Sequence, residues 1–224
     1  MKEIGFSDEH RKRIDDFFAA RTFISDRKIA TRFHDSDAHV YDLKFIRPHL
    51  RPGMTVLDLG TGSGILAHES SGIAGRVIAV DKFSEFFDPT YKASNIEFVK
   101  SDVLEFSYPE QFDLVLLFGV VTYLDYEQSE RLYDSVNRLL KDGGTLLAKH
   151  GCGVEEDVFV DGFSEHFQSH YVALYKHLQN EKRLLEKYFD VDAVDIYPDH
   201  LNRWTNTRYY GFICRKPKSA EERP

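Results

Sequence analysis

Val56-Leu57-Asp58-Leu59-Gly60-Thr61-Gly62-Ser63-Gly64 is the stretch whose reading decides the fold. The run Met54 to Leu59 is apolar and short, the texture of a buried strand. Glycines then fall at alternate positions, where they let the chain turn sharply and let a ligand approach the backbone with no Cβ in the way. Ile65 to Ser70 follows as a helix. A glycine-rich turn between strand and helix is a ligand site of open α/β sheets. A dinucleotide fingerprint spaces its glycines G-x-G-x-x-G. Counted from Gly60, its third glycine would fall on residue 65, which is Ile65. Asp58 also places a negative charge where a pyrophosphate would want donors and cations.

Outward from this turn, Val77 to Val80, Ile96 to Val99, Leu114 to Phe118 and Thr145 to Ala148 read as further strands. Between them lie a weaker segment near Phe83 to Phe87 and a clear helix from Gln128 to Leu140. Leu132, Val136, Leu139 and Leu140 share one face of that helix. Asp125 and Gln128 form a capping-box pattern at its start, and Gly143 is placed to close its end as a left-handed cap. Strands alternating with helices imply a parallel sheet covered on both faces, a three-layer α/β/α architecture. Tyr171, Leu174, Tyr175, Leu178, Leu185 and Tyr188 mark a long amphipathic helix. Strands at Val191 to Tyr197 and Arg208 to Cys214 follow, and their short connection requires an antiparallel pair.

The first fifty residues read as a helical lid. Ser7 caps a helix carrying Ile14, Phe17 and Phe18 on one face. A second helix runs from Ser36 to His49, with Val40, Leu43 and Ile46 in register. Arg51-Pro52-Gly53 breaks it. The expected organisation is a lid at 1–50, a core domain at 51–216 and a charged, disordered tail at 217–224. Residues 151–169 form an insertion too long for an ordinary strand-to-helix loop. It carries Phe159, Phe163 and Phe167, and such insertions often cover active sites.

The chain has 224 residues, 42% hydrophobic and 29% charged, with a formal net charge of −8. Phosphate backbones are bound by clustered Lys and Arg. The sequence shows no such cluster, so a nucleic-acid partner is not expected. Cys152 and Cys214 make no C-x-x-C pair and fit a reducing compartment. Met1 to Phe6 lacks an apolar signal core, and the longest apolar stretch, Leu114 to Val121, is too short to span a bilayer. A cytoplasmic location with no membrane partner is expected.

Asp58-Leu59-Gly60-Thr61-Gly62-Ser63-Gly64 matches at every defined position the D-x-G-x-G-x-G signature of class I S-adenosylmethionine (SAM)-dependent methyltransferases, which this sequence resembles. The resemblance covers residues 36–150 by motif and reaches 215 by strand order. It implies a Rossmann-like seven-stranded sheet, mostly parallel with an antiparallel last strand. It also implies SAM as cofactor and S-adenosylhomocysteine as product. By the same resemblance Asp81 accepts hydrogen bonds from the ribose diol, and Asp102 accepts from the adenine amino group with Val103 beside the ring. Asp58 helps to hold the methionyl ammonium. Gly60, Gly62, Gly64 and Gly119 supply backbone around the cofactor, and Phe83 packs on the adenine or in the core. SAM carries a sulfonium and an ammonium but no phosphate, so a pocket of acids and carbonyls suits it.

Methyl transfer is an in-line displacement, helped most by holding acceptor, methyl and sulfur in line. A hydroxyl acceptor gains further from a general base. His150, after the strand Thr145 to Ala148, is the first candidate for that base, and Asp125 the second. Tyr123 lies in the same loop as Asp125 and is placed to shape the acceptor pocket. His34, Asp35 and His39 resemble a partial metal set that nothing completes, so no metal is expected. Lys149 is a candidate for orienting an anionic acceptor. His200, Asn202, Arg203 and Trp204 suit a sugar or carboxylate. The expected acceptor is a small molecule, a hydroxyl of a saccharide or natural-product-like metabolite. A protein acceptor and a SAM-binding module without turnover are the alternatives.

Overall fold

The computed structural model describes residues 4–31, 37–202 and 204–218. Five strands run parallel: β1 (Thr55–Leu59), β2 (Arg76–Asp81), β3 (Ile96–Lys100), β4 (Phe112–Phe118) and β5 (Leu140–Gly153). Strand β9 (Thr207–Arg215) lies antiparallel between β5 and β8 (Asp190–Asp195). The seven-stranded order is β3-β2-β1-β4-β5-β9-β8. It is the Rossmann-like, mostly parallel sheet expected from the sequence.

Strand periodicity sorts the core onto the two sheet faces. Val56, Val77, Ala79, Leu114 and Leu116 pack with Ile46 of α3 (Ala38–Ile46) and Ile65 and Leu66 of α4 (Ile65–Ser71). Leu57, Leu59, Ile78, Val80, Val115 and Leu117 pack with Leu132, Tyr133 and Val136 of α5 (Tyr126–Leu139) and Leu184 of α6 (Leu178–Leu185). Both faces are covered, which is why these strands read as continuous apolar runs. The capping box at α5 forms as the sequence predicts, with Asp125 accepting from the Gln128 amide. Gly143 has a positive φ of 75°. It does not close α5, whose C-cap is Leu140, but sits in the irregular opening of β5.

Two further corrections concern the last third. Strand β5 continues to Gly153, and residues 158–175 form a hairpin of β6 (Val158–Ser164) and β7 (Ser169–Tyr175), a two-stranded sheet apart from the main one. The expected helix through Tyr171 to Tyr188 is therefore strand β7 followed by the short α6. All five residues of Tyr171–Tyr175 are buried, alternate ones against opposite neighbours. Val172 and Leu174 join the main core, while Tyr171, Ala173 and Tyr175 meet Phe17 of α1 (Asp8–Arg21). A run buried on both faces gives no periodicity that separates strand from helix.

Helix α1 begins at the Ser7 cap and packs along β7. A five-residue helix, α2 (Arg27–Thr31), follows it. Helix α3 begins at Ala38 and runs on as a tight turn to His49. His34, Asp35, Ser36 and Arg203, and positions 219–224 of the expected tail, lie outside the described residues. Among the described residues no helix is long and apolar enough to cross a membrane.

Candidate functional site

The glycine turn is tied to the end of β2. The amides of Gly60 and Thr61 both donate to the Val80 carbonyl, at 2.8 and 2.9 Å. Gly60 has φ +75°, and a Cβ there would come within 2.2 Å of Val120 Cγ2. Glycine is required by conformation and by space alike. Asp58 is buried and accepts the Thr61 hydroxyl at 2.6 Å. Asp81 ends β2 and accepts from two backbone amides, Gly62 through Oδ2 and Phe83 through Oδ1, each at 2.9 Å. Each carboxylate oxygen keeps a further lone pair for a ligand hydroxyl. Burial pushes the Asp81 carboxyl above its ordinary value against the pull of those amides.

Asp102 follows β3, accepts from the Leu104 amide at 3.0 Å and meets Lys82 Nζ at 3.2 Å. Phe83 stacks on Phe18 of α1, with centroids 6.3 Å apart. Gly119, at φ +75°, donates its amide to the Lys149 carbonyl, and a Cβ there would meet nothing within 4 Å. Asp58, Gly60, Thr61, Gly62, Asp81, Phe83, Asp102, Val103 and Gly119 line one cavity of about 570 Å³, and Gly64 does not. A Cβ on Gly64 would meet Phe98 Cε1 at 2.8 Å. Gly64 is a turn and packing residue and does not join the others at the cavity lining. The open Gly119 backbone and the acids Asp58, Asp81 and Asp102 on one wall fit a nucleoside carrying an ammonium and a sulfonium.

The cavity continues past Gly119 to a different wall, made by α1, the turn Val121–Tyr123 and the hairpin. Phe17, Phe18, Arg21, Tyr123, Phe167, Tyr171 and Tyr175 line it. The Tyr171 hydroxyl donates to that of Tyr123 at 3.4 Å and pairs with that of Tyr175 at 3.2 Å. Burial pushes Tyr123 up to about 12 and raises Tyr171 and Tyr175 too, so the three stay neutral. The Tyr175 ring closes on the β5 backbone where Gly151 leaves room, since a Cβ there would sit 2.8 Å from it. Beside them Lys149 Nζ lies 3.5 Å from the buried Asp42, among the rings of Phe118, Tyr197 and Tyr209. His200 and Trp204 also reach this end of the cavity.

Both expected bases are engaged elsewhere. Asp125 does not line the cavity. Its carboxylate accepts from the Phe6 amide at 2.9 Å, the Gln128 amide at 2.9 Å and Arg11 at 3.2 Å. His150 is among the residues lining the cavity, but its imidazole lies flat on Phe212 and meets Glu181 at 3.4 Å, 2% exposed. On a strand, neighbouring side chains point to opposite faces. Lys149 takes the Asp42 side and His150 the other.

Sequence reasoning missed the buried polar group beside His150. Lys176, at the end of β7, donates to the Leu124 carbonyl at 3.0 Å and Ser129 Oγ at 2.9 Å, and lies 3.5 Å from the Val121 carbonyl. Glu181 of α6 lies 3.8 Å from Lys176 and accepts the Tyr133 hydroxyl. Burial alone would raise the Glu181 carboxyl, but the Lys176 ammonium leads the groups that bring it down to about 2. Lys176 thus fastens the turn that carries Tyr123 to the strand that carries Tyr171 and Tyr175. Nothing in its spacing marks it, because one lysine after an apolar run reads as a strand end. Arg21 was missed for the same reason, as the last polar residue of an exposed helix. Among the described residues no group of three His, Cys, Asp or Glu is arranged to hold a metal.

A family described as a methyltransferase domain matches residues 56–144. Ribosomal protein L11 methyltransferase from Caldicellulosiruptor bescii is 35% identical over 126 residues, covering 53% of this chain and 38% of that protein. Cypemycin N-terminal methyltransferase from Streptomyces sp. is 33% identical over 100 residues, covering 42% of this chain and 41% of that protein. The chain spans about two fifths of the length of these curated relatives. Among solved structures, Burkholderia thailandensis 1,6-didemethyltoxoflavin-N1-methyltransferase, with bound 1,6-didemethyltoxoflavin and S-adenosylhomocysteine, superposes with a TM-score of 0.74 at 18% identity, covering 97% of this chain and 93% of that one. Haemonchus contortus phosphoethanolamine N-methyltransferase 1, in complex with phosphoethanolamine and S-adenosylhomocysteine, gives 0.77 at 16% identity, covering 97% and 51%. At such identities the likeness is one of fold.

Proposed function

Because this chain carries a class I SAM-dependent methyltransferase domain, we propose that it methylates a small-molecule acceptor at a nucleophilic nitrogen. One observation carries this reading. A single cavity runs from the acid that would hold a ribose, Asp81, to a closed aromatic wall of three neutral tyrosines. Its volume of about 570 Å³ lies within the roughly 300–1,000 Å³ usual for small-ligand sites.

SAM, when bound, supplies a methyl group on a sulfonium that departs as a neutral thioether. The chain's own residues do the rest. Asp81 and the Gly60–Gly62 backbone seat the nucleoside, and Asp58 faces the positive methionyl end. The wall of α1 and the hairpin excludes water and aligns the acceptor, the main source of rate in an in-line displacement. Tyr123, Tyr171 and Tyr175 keep their protons, so they orient an acceptor by hydrogen bonds and do not act as bases.

The choice of nitrogen follows from that chemistry. A sugar hydroxyl needs a general base. His150 and Asp125 are both committed to structure, and the cavity acids sit on the nucleoside side. A free amine is nucleophilic without such help, and its N–H groups are matched by tyrosine oxygens. The fold neighbours named as N-methyltransferases agree with this reading. The net charge of −8 supports an acceptor other than nucleic acid. Incubation with methyl-labelled SAM and paired panels of amines and saccharides is the test. Label transfer to amines is expected, and transfer confined to saccharides or to protein would overturn the acceptor class.

A further inference from the structure

Four long cations line the cavity: Arg11, Arg21, Lys82 and Lys149. Three have a carboxylate beside them. Arg11 pairs with Asp125 at 3.2 Å, Lys82 with Asp15 at 2.7 Å and Asp102 at 3.2 Å, and Lys149 with Asp42 at 3.5 Å. Arg21 is the exception, with no carboxylate paired to it among the described residues.

Its surroundings make that exception costly. The guanidinium carbon lies 5.4 Å from the Phe17 ring centroid and 5.1 Å from that of Phe167. Both rings pack on Tyr171. Burial is the largest influence on Arg21 and works against its charge. Nε donates to the Ala30 carbonyl at 2.6 Å and Nη2 to the Ile29 carbonyl at 2.5 Å. These two bonds fix the plane of the group and occupy one edge of its fork. Among the described residues the edge shared by Nη1 and Nη2 remains, and a guanidinium edge is shaped for two anionic oxygens. A half-buried cation with no carboxylate beside it is a natural place for an anionic ligand group to complete.

We propose that Arg21 is the anion-binding group of the acceptor subsite, so that the acceptor bears a carboxylate or phosphate in addition to the atom that is methylated. This rests on the methyltransferase reading above and narrows it from small amines to anionic amines. The anion docks on the outer edge of Arg21, beside the hydroxyl of Tyr171. The reactive nitrogen is thereby turned toward Gly119 and the cofactor wall. The tether of Arg21 to α2 gives the anion a further effect, since its binding strengthens the contact between the two N-terminal helices that border the cavity.

The experiment uses the full chain saturated with S-adenosylhomocysteine, titrated in a calorimeter with inorganic phosphate and, separately, with acetate. One of the two is expected to bind, and the tighter names the group. Arg21→Gln should weaken that anion by about tenfold or more, the scale of a lost charge-assisted contact, with S-adenosylhomocysteine affinity unchanged. Arg21→Lys keeps the charge without the fork and should fall between the two, which covers the case of a poorly folded glutamine variant. Absence of binding by both anions to the wild-type complex, or equal anion binding by wild type and either variant, overturns the anion subsite and leaves the methyltransferase reading standing. Failure of the wild-type chain to bind S-adenosylhomocysteine at all removes both.

Discussion

The two walls of the cavity are built by different means. The wall proposed for the cofactor is built on backbone, with glycines at 60, 62 and 119 and the amides of Gly62 and Phe83 gathered by Asp81, and only its acids Asp58, Asp81 and Asp102 reach in with side chains. The wall proposed for the acceptor is side chain: three tyrosines, three phenylalanines and Arg21, carried by α1, the turn Val121–Tyr123 and a hairpin that lies outside the main sheet. A backbone site tolerates few substitutions, because conformation itself is the recognition element. A side-chain site can be rebuilt residue by residue. Its rigidity has to come from behind, and Lys176 provides it here.

That contrast can be tested in order of effect. Lys176→Met leaves Glu181 buried without its cation, and breaking such a pair costs about 3–5 kcal/mol. Urea unfolding should show a loss on that scale, and a loss within error of zero would mean that the hairpin is held by packing alone. Gly60→Ala strikes the other wall. It combines a strained φ with a clash against Val120, for a cost of about 2–4 kcal/mol. Thermal unfolding together with calorimetry on S-adenosylhomocysteine reads both parts. If the variant keeps full stability and affinity, the cofactor wall is softer than described.

Asp81→Ala should weaken SAM binding by about 1.5–3 kcal/mol, the range for hydrogen bonds to a charged group. Unchanged affinity would remove Asp81 from the ribose. Tyr171→Phe removes the middle hydroxyl of the trio and should lower kcat/KM for the amine acceptor by about 1 kcal/mol. Cofactor affinity should stay constant, and a parallel loss of it would erase the division between the walls. The smallest effect concerns pH. The folded-state Tyr123 hydroxyl is raised from 10.0 to about 12, so the stability it contributes is complete below the ordinary tyrosine range and is lost as pH rises through the folded value. Stability should show no tyrosine-linked decline below pH 10, and a decline there would place Tyr123 in a wetter setting.

That the residues of the proposed cofactor wall would gather in one place was legible in the sequence, because glycine spacing and strand-end acids are local signals. Asp58, Gly60, Gly62, Asp81, Asp102, Val103 and Gly119 all meet at the cavity. The acceptor wall was only half legible. Tyr123 stood out by its place in a loop. Tyr171 and Tyr175 stood out too, but as one face of a helix, because a five-residue run buried on both sides gives no period to read. His150 was located correctly after the strand. Its orientation depended on Glu181, thirty-one positions away on an element then read as part of a longer helix. Asp125 was legible as a cap, and the cap accounts for it.

The hairpin also has a use at the bench. It joins the main chain at only two borders, 154–157 and 176–177, and pairs with itself. It can be exchanged as a cassette to redirect acceptor choice without touching the nucleotide floor. Its second border is set by chemistry: a donor segment must stop short of Lys176, so that the recipient keeps the ammonium that anchors the turn below Tyr123.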